Sequence, residues 1–585
     1  MKKIGFFIAV TYLVFSFSSC EDVFLEKPFG SDLTVDSIFS TEQKAMGAIA
    51  QAYAYSLASG ITFLSWDDAR TYGMTSGTLS HLSGELNSIK FNWEDGWLIQ
   101  HSGMTADDGS GKVRSDDGYL MNYKAIRQCY LVIENIDKVT DMSQTDKDIV
   151  KAEMKTLIAY RYEEMFKRYG GVPVVTGSLS VKDDLKIPRA ELKQLLSHIV
   201  SLCDEVAESS LPDVWPDKHH GRVTKGVALA IKAETYMFAA RPLFNSANPY
   251  LDLGDNNQLI CFGNEDRDLW QKAIEASLAV LEWANLHAYE IINTGNPLDD
   301  YGTAVAVPSN KEVLLAYKNQ QTGGGYYSAR SQSGGANGMS YDMLKQYYQA
   351  DGTEQIWPKI SAGKVSFSDF TTRINQMEAR YKASAMAPGI DAWNNPNDYN
   401  NWSCRMVADF SNWEGRTNNE GCGRRVKFWY HAGNRGWFEF PIYRLAEFYL
   451  NLAEAYNEYD DPDSALPYLN EIRNRAGLPD ITETDKLKLK KLIQREWAIE
   501  FYEEGHRFFD VKHWKHEDIA NGIIGGPKLG FVYTYISGGM GYYASDYLTY
   551  ALEERYKGFW ASSQYLSPFP VSEINKAYLV QNPGY

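Results

Sequence analysis

Four pairs of amphipathic helices account for most of the regular pattern of apolar and polar positions along the chain. The clearest pair runs from Pro441 to Gly477, with a turn at Asp460–Asp463 between its two helices. The apolar side chains of both halves recur at helical spacing: Leu445, Phe448, Tyr449, Leu452 and Tyr456, then Ala465, Leu469, Ile472 and Ala476. This unit is about as long as a tetratricopeptide repeat.

Three earlier segments show the same pattern. They are Ser40–Tyr53 with a helix over Tyr123–Ile133, Met154–Tyr169 with a helix over Ala190–Glu208, and Thr224–Ala240 with a helix that opens at Asp268. Helical hairpins that stack on one another bury a continuous apolar core. The sequence therefore predicts a mostly α fold, in which four tetratricopeptide-like hairpins form a spine.

Two long stretches, residues 60–122 and 286–440, show little periodicity and are rich in Gly, Asn, Ser, Trp and Tyr. A stretch as long as 286–440 is not expected to be a single loop. We expect a leader at 1–19, an N-terminal region with three hairpins at 20–285, an irregular variable region on the ligand side at 286–440, and a C-terminal region with the fourth hairpin at 441–585.

The composition narrows the class of partner. The net charge of −17 repels phosphate backbones and argues against nucleic-acid binding. Aromatic residues make up 14% of the chain, with 39 Tyr and 15 Trp. Tyr and Trp combine a flat apolar face with a polar tip, which suits partly wet binding surfaces.

The first twenty residues are typical of an export signal. Lys2 and Lys3 precede an apolar stretch, Ile4–Phe17, which is too short for a comfortable membrane span and ends just before Cys20. Small residues directly before a cysteine resemble a bacterial lipoprotein cleavage site, so we expect Cys20 to carry lipid. A plain signal peptide cut nearby is the alternative.

Three clusters combine aromatic rings with polar side chains, as sugar-binding sites do. A sugar ring packs its C–H face on Trp or Tyr, and its hydroxyls need polar partners. The first cluster contains Trp66, Asp67, Arg70, Trp93 and Trp97; the second contains Tyr326, Tyr327 and Arg330; the third contains Trp393, Asn394, Asn395, Tyr399 and Trp402. Core packing is the ordinary alternative for any single ring.

Five landmarks in order along the chain resemble those of the SusD/RagB family of nutrient-binding outer-membrane lipoproteins. They are Cys20 with Phe24–Pro28, Tyr123–Ile136, Lys151–Pro173, Arg495–Asp510 and Pro568–Ile574 with the ending Gln581–Tyr585. Trp497 and Glu503 depart from the residues that are usual at these places, which weakens only the local match.

The resemblance implies a lipid-anchored protein of the outer membrane, facing the cell exterior, that captures a glycan and is not an enzyme. The implied partner is a TonB-dependent, SusC-like transporter, over which the lipoprotein closes as a lid. The first two clusters occupy the places from which relatives draw ligand-binding aromatics. A lid for a non-sugar nutrient such as peptide, a structural tetratricopeptide-type protein and a secreted hydrolase remain alternatives.

Three further patterns point to structure rather than chemistry. Glu496, Glu500 and Glu504 recur every four residues, and we interpret them, with Arg507, as an ion-pair network rather than an acid–base site. The spacing of His506, Asp510 and His513 suits three metal ligands on a helix, but we predict no metal there and no cofactor. Whether Cys404 and Cys422 form a disulfide stays open.

Overall fold

The computed structural model describes residues 34–58, 78–88, 95–106, 118–180, 182–319, 337–387, 422–425, 427–429, 438–536 and 544–585. Its α-helices are Val35–Ile38, Glu42–Ala58, Thr78–Leu82, Asp95–Ser102, Gly118–Asn135, Gln144–Tyr169, Leu192–Ala207, Lys225–Ala240, Asp268–Leu286, Pro297–Ala306, Tyr341–Leu344, Phe367–Gln376, Ala379–Ser384, Leu445–Glu458, Pro462–Arg475, Lys486–Glu500, His506–His513 and Val571–Ile574. Its strands are Leu86–Ser88, Val313–Asn319, Asn337–Met339, Val365–Ser366, Ala385–Met386, Arg424–Arg425, Phe438–Arg444, Gly526–Tyr535 and Tyr547–Gly558.

All four predicted helix pairs form. Hairpin 1 is Glu42–Ala58 with Gly118–Asn135, hairpin 2 is Gln144–Tyr169 with Leu192–Ala207, hairpin 3 is Lys225–Ala240 with Asp268–Leu286, and hairpin 4 is Leu445–Glu458 with Pro462–Arg475. Each of these eight helices also contacts the next one along the chain, so the hairpins stack in sequence order. One apolar core takes side chains from all four hairpins, which confirms the predicted mostly helical scaffold.

The third landmark ends the long helix of hairpin 2. Gly170 has a φ of +78°, a conformation that glycine adopts without a Cβ penalty, and its N–H donates to the Phe166 carbonyl at 3.0 Å. A Cβ on Gly171 would lie 2.0 Å from the Ala190 carbonyl oxygen. The side-chain amide of Asn582, in the last landmark, donates to the Tyr169 carbonyl at 3.1 Å. The two landmarks therefore meet at one helix end.

Three small sheets hold the remaining segments. Val313–Asn319 pairs antiparallel with Phe438–Arg444, and Gly526–Tyr535 pairs with Tyr547–Gly558 to form a long ribbon, which Val365–Ser366 extends. The third sheet consists of four short strands and includes Leu86–Ser88.

A second apolar core lies beside the first. It combines residues from 301–387 with the ribbon and with the end of the helix Lys486–Glu500. Its aromatic side chains pack edge to face, as Phe370 and Phe531 do at 5.8 Å. Within the described ranges, no helix has both the length and the apolar character needed to cross a membrane.

Candidate functional site

Two short strands give the segment that contains Trp93 and the segment that contains the second aromatic cluster a common starting point. Leu86–Ser88 pairs antiparallel with Asn337–Met339, and Ser88 lies opposite Asn337. The segment that begins at residue 89 and the segment that ends at residue 336 therefore leave the same end of this strand pair. Residues 78–88, 95–106 and 337–339 together are called the site frame below.

The predicted ligand residues themselves lie almost entirely outside the described residues. These are Trp66, Asp67, Arg70, Trp93, Tyr326, Tyr327 and Arg330, together with the lipid-bearing Cys20 and the third cluster. Trp97 lies in the helix Asp95–Ser102, but its side chain is not described. Their role in binding therefore stays a prediction. The structure describes the site frame, which flanks the segments that contain Trp93 and the second cluster.

Hydrogen bonds join the helix of Trp97 to the rest of the frame and to the ribbon. The buried Gln100 side chain donates to the Leu86 carbonyl at 3.3 Å, and its backbone carbonyl accepts from the Phe559 N–H at 2.7 Å. His101 stacks on Tyr556 with ring centroids 4.9 Å apart. The frame is thus bound to strands from the far end of the chain.

Glu85 connects the frame to the fourth landmark. Its fully buried carboxylate accepts from the Ser83 hydroxyl at 2.9 Å and from the Glu503 N–H at 3.1 Å. Burial raises the pKa of Glu85 from its ordinary value of 4.5 to about 7, although the positive charge of Arg507 acts in the opposite direction. Glu85 therefore keeps its proton in the folded state under mildly acidic conditions.

A Glu85→Gln substitution should remove a pH-dependent part of the stability. The folded pKa of Glu85 is raised, so its contribution to stability is complete below pH 4.5 and is lost as pH rises to about 7. We expect wild type to lose about 2–3 kcal/mol of unfolding free energy relative to E85Q between pH 5 and pH 8. Urea unfolding at both pH values measures this, with the exposed Glu553→Gln as control. Parallel pH profiles for wild type and E85Q would contradict it.

The three glutamates of the fourth landmark lie in an ion-pair network, as interpreted from their spacing. Arg380 bridges Glu496 and Glu500, and Arg444 bridges Glu500 and Glu504. All five side chains are at most about 6% exposed. Since every one of these carboxylates is paired with a cation away from solvent, they are not arranged as an acid–base site.

In the second candidate pattern, Asp510 and His513 contact other groups of the protein. Asp510 accepts from Arg241 at 2.7 Å, and Nε2 of His513 lies 2.8 Å from the Lys167 carbonyl oxygen. His513 is also enclosed between Phe238 and Phe244. These contacts account for Asp510 and His513, whereas His506 is half-buried.

The segment that contains the third cluster ends at the other end of the strand pair, where the Cys422 N–H donates to the Met339 carbonyl at 2.8 Å and Met339 pairs with Leu86. Cys422 itself is a buried, free cysteine. Cys404 and the third cluster lie outside the described residues.

A half-open cavity of about 60 Å³ lies between hairpins 2 and 3 and the fourth landmark. Its lining includes Glu164, Lys167, Glu234 and His506. Binding pockets for small ligands are usually about 300–1,000 Å³, so this cavity is too small to hold a sugar ring.

These features define a mostly helical protein in which stacked hairpins carry loops that are anchored by short paired strands. The chain belongs to the SusD/RagB family. The model described as "SusD family" matches residues 303–585, and the model described as "Starch-binding associating with outer membrane" matches residues 41–237. The family thus includes carbohydrate binding and outer-membrane association in its description.

Individual relatives agree over most of the chain. A SusD-like protein of Formosa agariphila is 23% identical over 532 residues, which cover 88% of this chain and 90% of the relative. A SusD-like protein from Bacteroides fragilis has a crystal structure that matches with a TM-score of 0.71 at 22% identity, covering 96% of this chain and 100% of that one. A SusD-like carbohydrate-binding protein from the same species matches with a TM-score of 0.64 at 19% identity, covering 93% and 99%. The structural matches confirm the fold.

Proposed function

We propose that this protein binds an oligo- or polysaccharide at the bacterial cell surface and delivers it to a TonB-dependent, SusC-like transporter in the outer membrane. The first two aromatic clusters form the binding platform, and the protein itself catalyses no reaction. Cys20 carries the lipid that holds it to the membrane.

The pairing of Ser88 with Asn337 is the observation that carries this proposal. A chain advances at most about 3.6 Å per residue, so Trp93 lies within about 18 Å of Ser88 and Arg330 within about 25 Å of Asn337. Both segments start from neighbouring strands, so the length of chain allows Trp93 and the second cluster to contact one ligand.

The attachment of the frame supports a binding role. A loop that binds a ligand gains affinity when a rigid scaffold limits the conformations it must give up. The frame is held on one side by the ribbon through Gln100 and on the other by the fourth landmark through Glu85. The Gln100 and Glu85 side chains are both buried, and their hydrogen bonds keep the strand pair in place.

The charges around the half-open cavity support a role without catalysis. A glycosidase places two carboxylates about 5–9 Å apart on either side of a sugar bond. Glu163 and Glu164 differ in pKa, but the ammonium of Lys167 lies 3.3 Å from Glu163 and 2.7 Å from Glu164. The different pKa values of this pair therefore reflect burial and ion pairing, and the cavity that Glu164 lines is too small for a sugar ring.

Single alanine substitutions in the clusters should weaken glycan binding. Calorimetry against a panel of polysaccharides tests the variants Trp66→Ala, Trp93→Ala and Tyr327→Ala. We expect at least one of them to lower the affinity tenfold or more. A buried aromatic anchor typically contributes 2 kcal/mol or more, and 1.4 kcal/mol corresponds to a factor of ten.

Tyr459→Ala is the matched control, since this ring packs under Arg267 at the turn of hairpin 4. It should bind as wild type does. Equal binding by all three cluster variants would exclude the proposed platform. Binding of peptides but of no polysaccharide would favour a different nutrient, and shortening of the polysaccharide during the assay would contradict a role without catalysis.

A further inference from the structure

Three side chains of metal-ligand type, from distant parts of the chain, meet beside the half-open cavity. They are Glu234 from hairpin 3, Glu447 from the first turn of hairpin 4, and His506 from the fourth landmark. One carboxylate oxygen of each glutamate and one ring nitrogen of His506 all lie within 4.8 Å of one another. These three residues are called the carboxylate–imidazole cluster.

Buried carboxylates crowd around this cluster. Four of them lie close together: Glu163, Glu164, Glu234 and Glu447. The ammonium of Lys167 contacts the first three at 3.3, 2.7 and 3.1 Å, and Arg168 adds a contact with Glu164 at 3.6 Å. Within the described residues, Glu447 takes part in none of these ion pairs.

The carboxylate of Glu447 is the unusual group. The side chain is 1% exposed, yet its Oε2 makes no hydrogen bond within the described residues. The hydroxyl of Tyr443, which lines the cavity, is also buried without a hydrogen bond. A buried polar atom without a partner costs about 1–3 kcal/mol, more when the group is charged. Neither atom therefore has a partner within the part of the chain that the structure describes.

His506 can provide a nitrogen ligand, because a neutral imidazole keeps a lone pair that binds metals. His506 is half-buried, so the cluster has a side from which an ion can enter.

We propose that Glu234, Glu447 and His506 bind a divalent transition-metal ion, for which Zn²⁺ is the best match. Imidazole nitrogen favours zinc and its neighbours, whereas Ca²⁺ and Mg²⁺ prefer oxygen ligands alone. Ligand atoms around tetrahedral zinc are about 3.4 Å apart, so the three atoms need to move together by little more than 1 Å. The cavity of about 60 Å³ has room for a water molecule as fourth ligand.

The bound ion acts as a structural cross-link. It joins hairpin 3, hairpin 4 and the landmark segment that supports the site frame. It also provides a partner for the Oε2 of Glu447. The proposal does not depend on which ligand the aromatic clusters bind.

The full chain without its leader, purified without added metal, gives the first test. We expect close to one equivalent of zinc by elemental analysis, with an X-ray absorption spectrum of nitrogen and oxygen ligands and no sulfur. After removal of the ion by chelation, Zn²⁺ at a hundredfold excess over its Kd should raise Tm by about 2 °C. Absence of both bound metal and a Zn²⁺-dependent rise in Tm would overturn the proposal.

Two variants test the ligands individually. Glu447→Gln and His506→Asn should each lose the bound zinc and its effect on Tm, and either result is informative if the other variant does not fold. The exposed Glu205→Gln and a His219→Asn, His220→Asn double variant are controls for zinc bound at the surface, and both should respond as wild type does. The proposal is wrong if E447Q retains the zinc. It is also wrong if metal-free E447Q is as stable as the zinc-bound wild type, since Glu447 is then a protonated carboxyl group that needs no metal.

Discussion

Glu500→Gln should lower the free energy of unfolding by about 3–5 kcal/mol at neutral pH. Glu500 is fully buried at the end of the helix Lys486–Glu500 and contacts Arg380, Arg444 and Arg475. Glutamine keeps the shape of the side chain and one acceptor oxygen but removes the charge. Three buried guanidinium groups would then share too few carboxylates.

The balance of charge explains why the effect is large. Within the described residues, the network joins five carboxylates to five cations, namely Glu312, Glu378, Glu496, Glu500 and Glu504 with Arg380, Lys427, Arg444, Arg473 and Arg475. All ten side chains are buried. Loss of one negative charge leaves a net positive charge in a region of low dielectric, which is the situation in which breaking a buried pair costs most.

The effect should depend on pH in the direction opposite to that of Glu85. Burial raises the pKa of Glu500, but Arg475, Arg444 and Arg380 together outweigh burial and lower the pKa below its usual range. A lowered folded pKa gives stability that is present above the unfolded pKa and is lost as pH falls below it. The difference between wild type and E500Q should therefore shrink between pH 5 and pH 3.

Chemical unfolding of wild type and E500Q at pH 7 measures the predicted loss. The control is Glu517→Gln, which removes an exposed carboxylate that pairs with Lys491 in solvent. Exposed pairs contribute little, so this variant should differ from wild type by less than about 1 kcal/mol. A loss below 1 kcal/mol for E500Q as well would show that the network contributes little to stability.

The helical scaffold was predictable from sequence because its cause is local. Each hairpin helix has apolar residues every three or four positions, and neighbours in sequence pair with each other. Hairpin 1 is the exception, since residues 59–117 separate its two helices, yet the matching apolar faces still identified the pair. The family landmarks reinforced this prediction.

The ion-pair network was predictable only in part. The spacing of Glu496 and Glu500 placed both on one helix face, and both do contact Arg380. Arg507 was expected to join Glu504, but Glu504 pairs with Lys427 and Arg444, and Arg507 lies near Glu85. The true partners come from elements far away in sequence, and no local pattern identifies a partner across such a distance.

The site frame could not be found from sequence. Leu86–Ser88 and Asn337–Met339 have three residues each, which is too short for an alternating pattern to be recognised. They lie in stretches that look irregular and pair across about 250 residues of intervening chain. The sequence composition was enough to identify the aromatic clusters. The strand pair, from which the segments of Trp93 and of the second cluster both start, forms only in the tertiary fold.

Cys20→Ser should release essentially all of the protein from the membrane fraction of the cell that produces it. In the proposed lipoprotein, each buried methylene of the acyl chains contributes roughly 0.8 kcal/mol, so several chains on Cys20 hold the protein firmly. The net charge of −17 does not favour attraction to an anionic membrane surface.

Fractionation followed by immunoblotting measures the change, and intact mass of the mature protein reports the acyl groups. Ser19→Ala, which keeps a small residue before the cysteine, should leave both unchanged. Membrane retention of the C20S variant, or a wild-type chain whose mature mass includes no acyl group, would show that another feature attaches the protein.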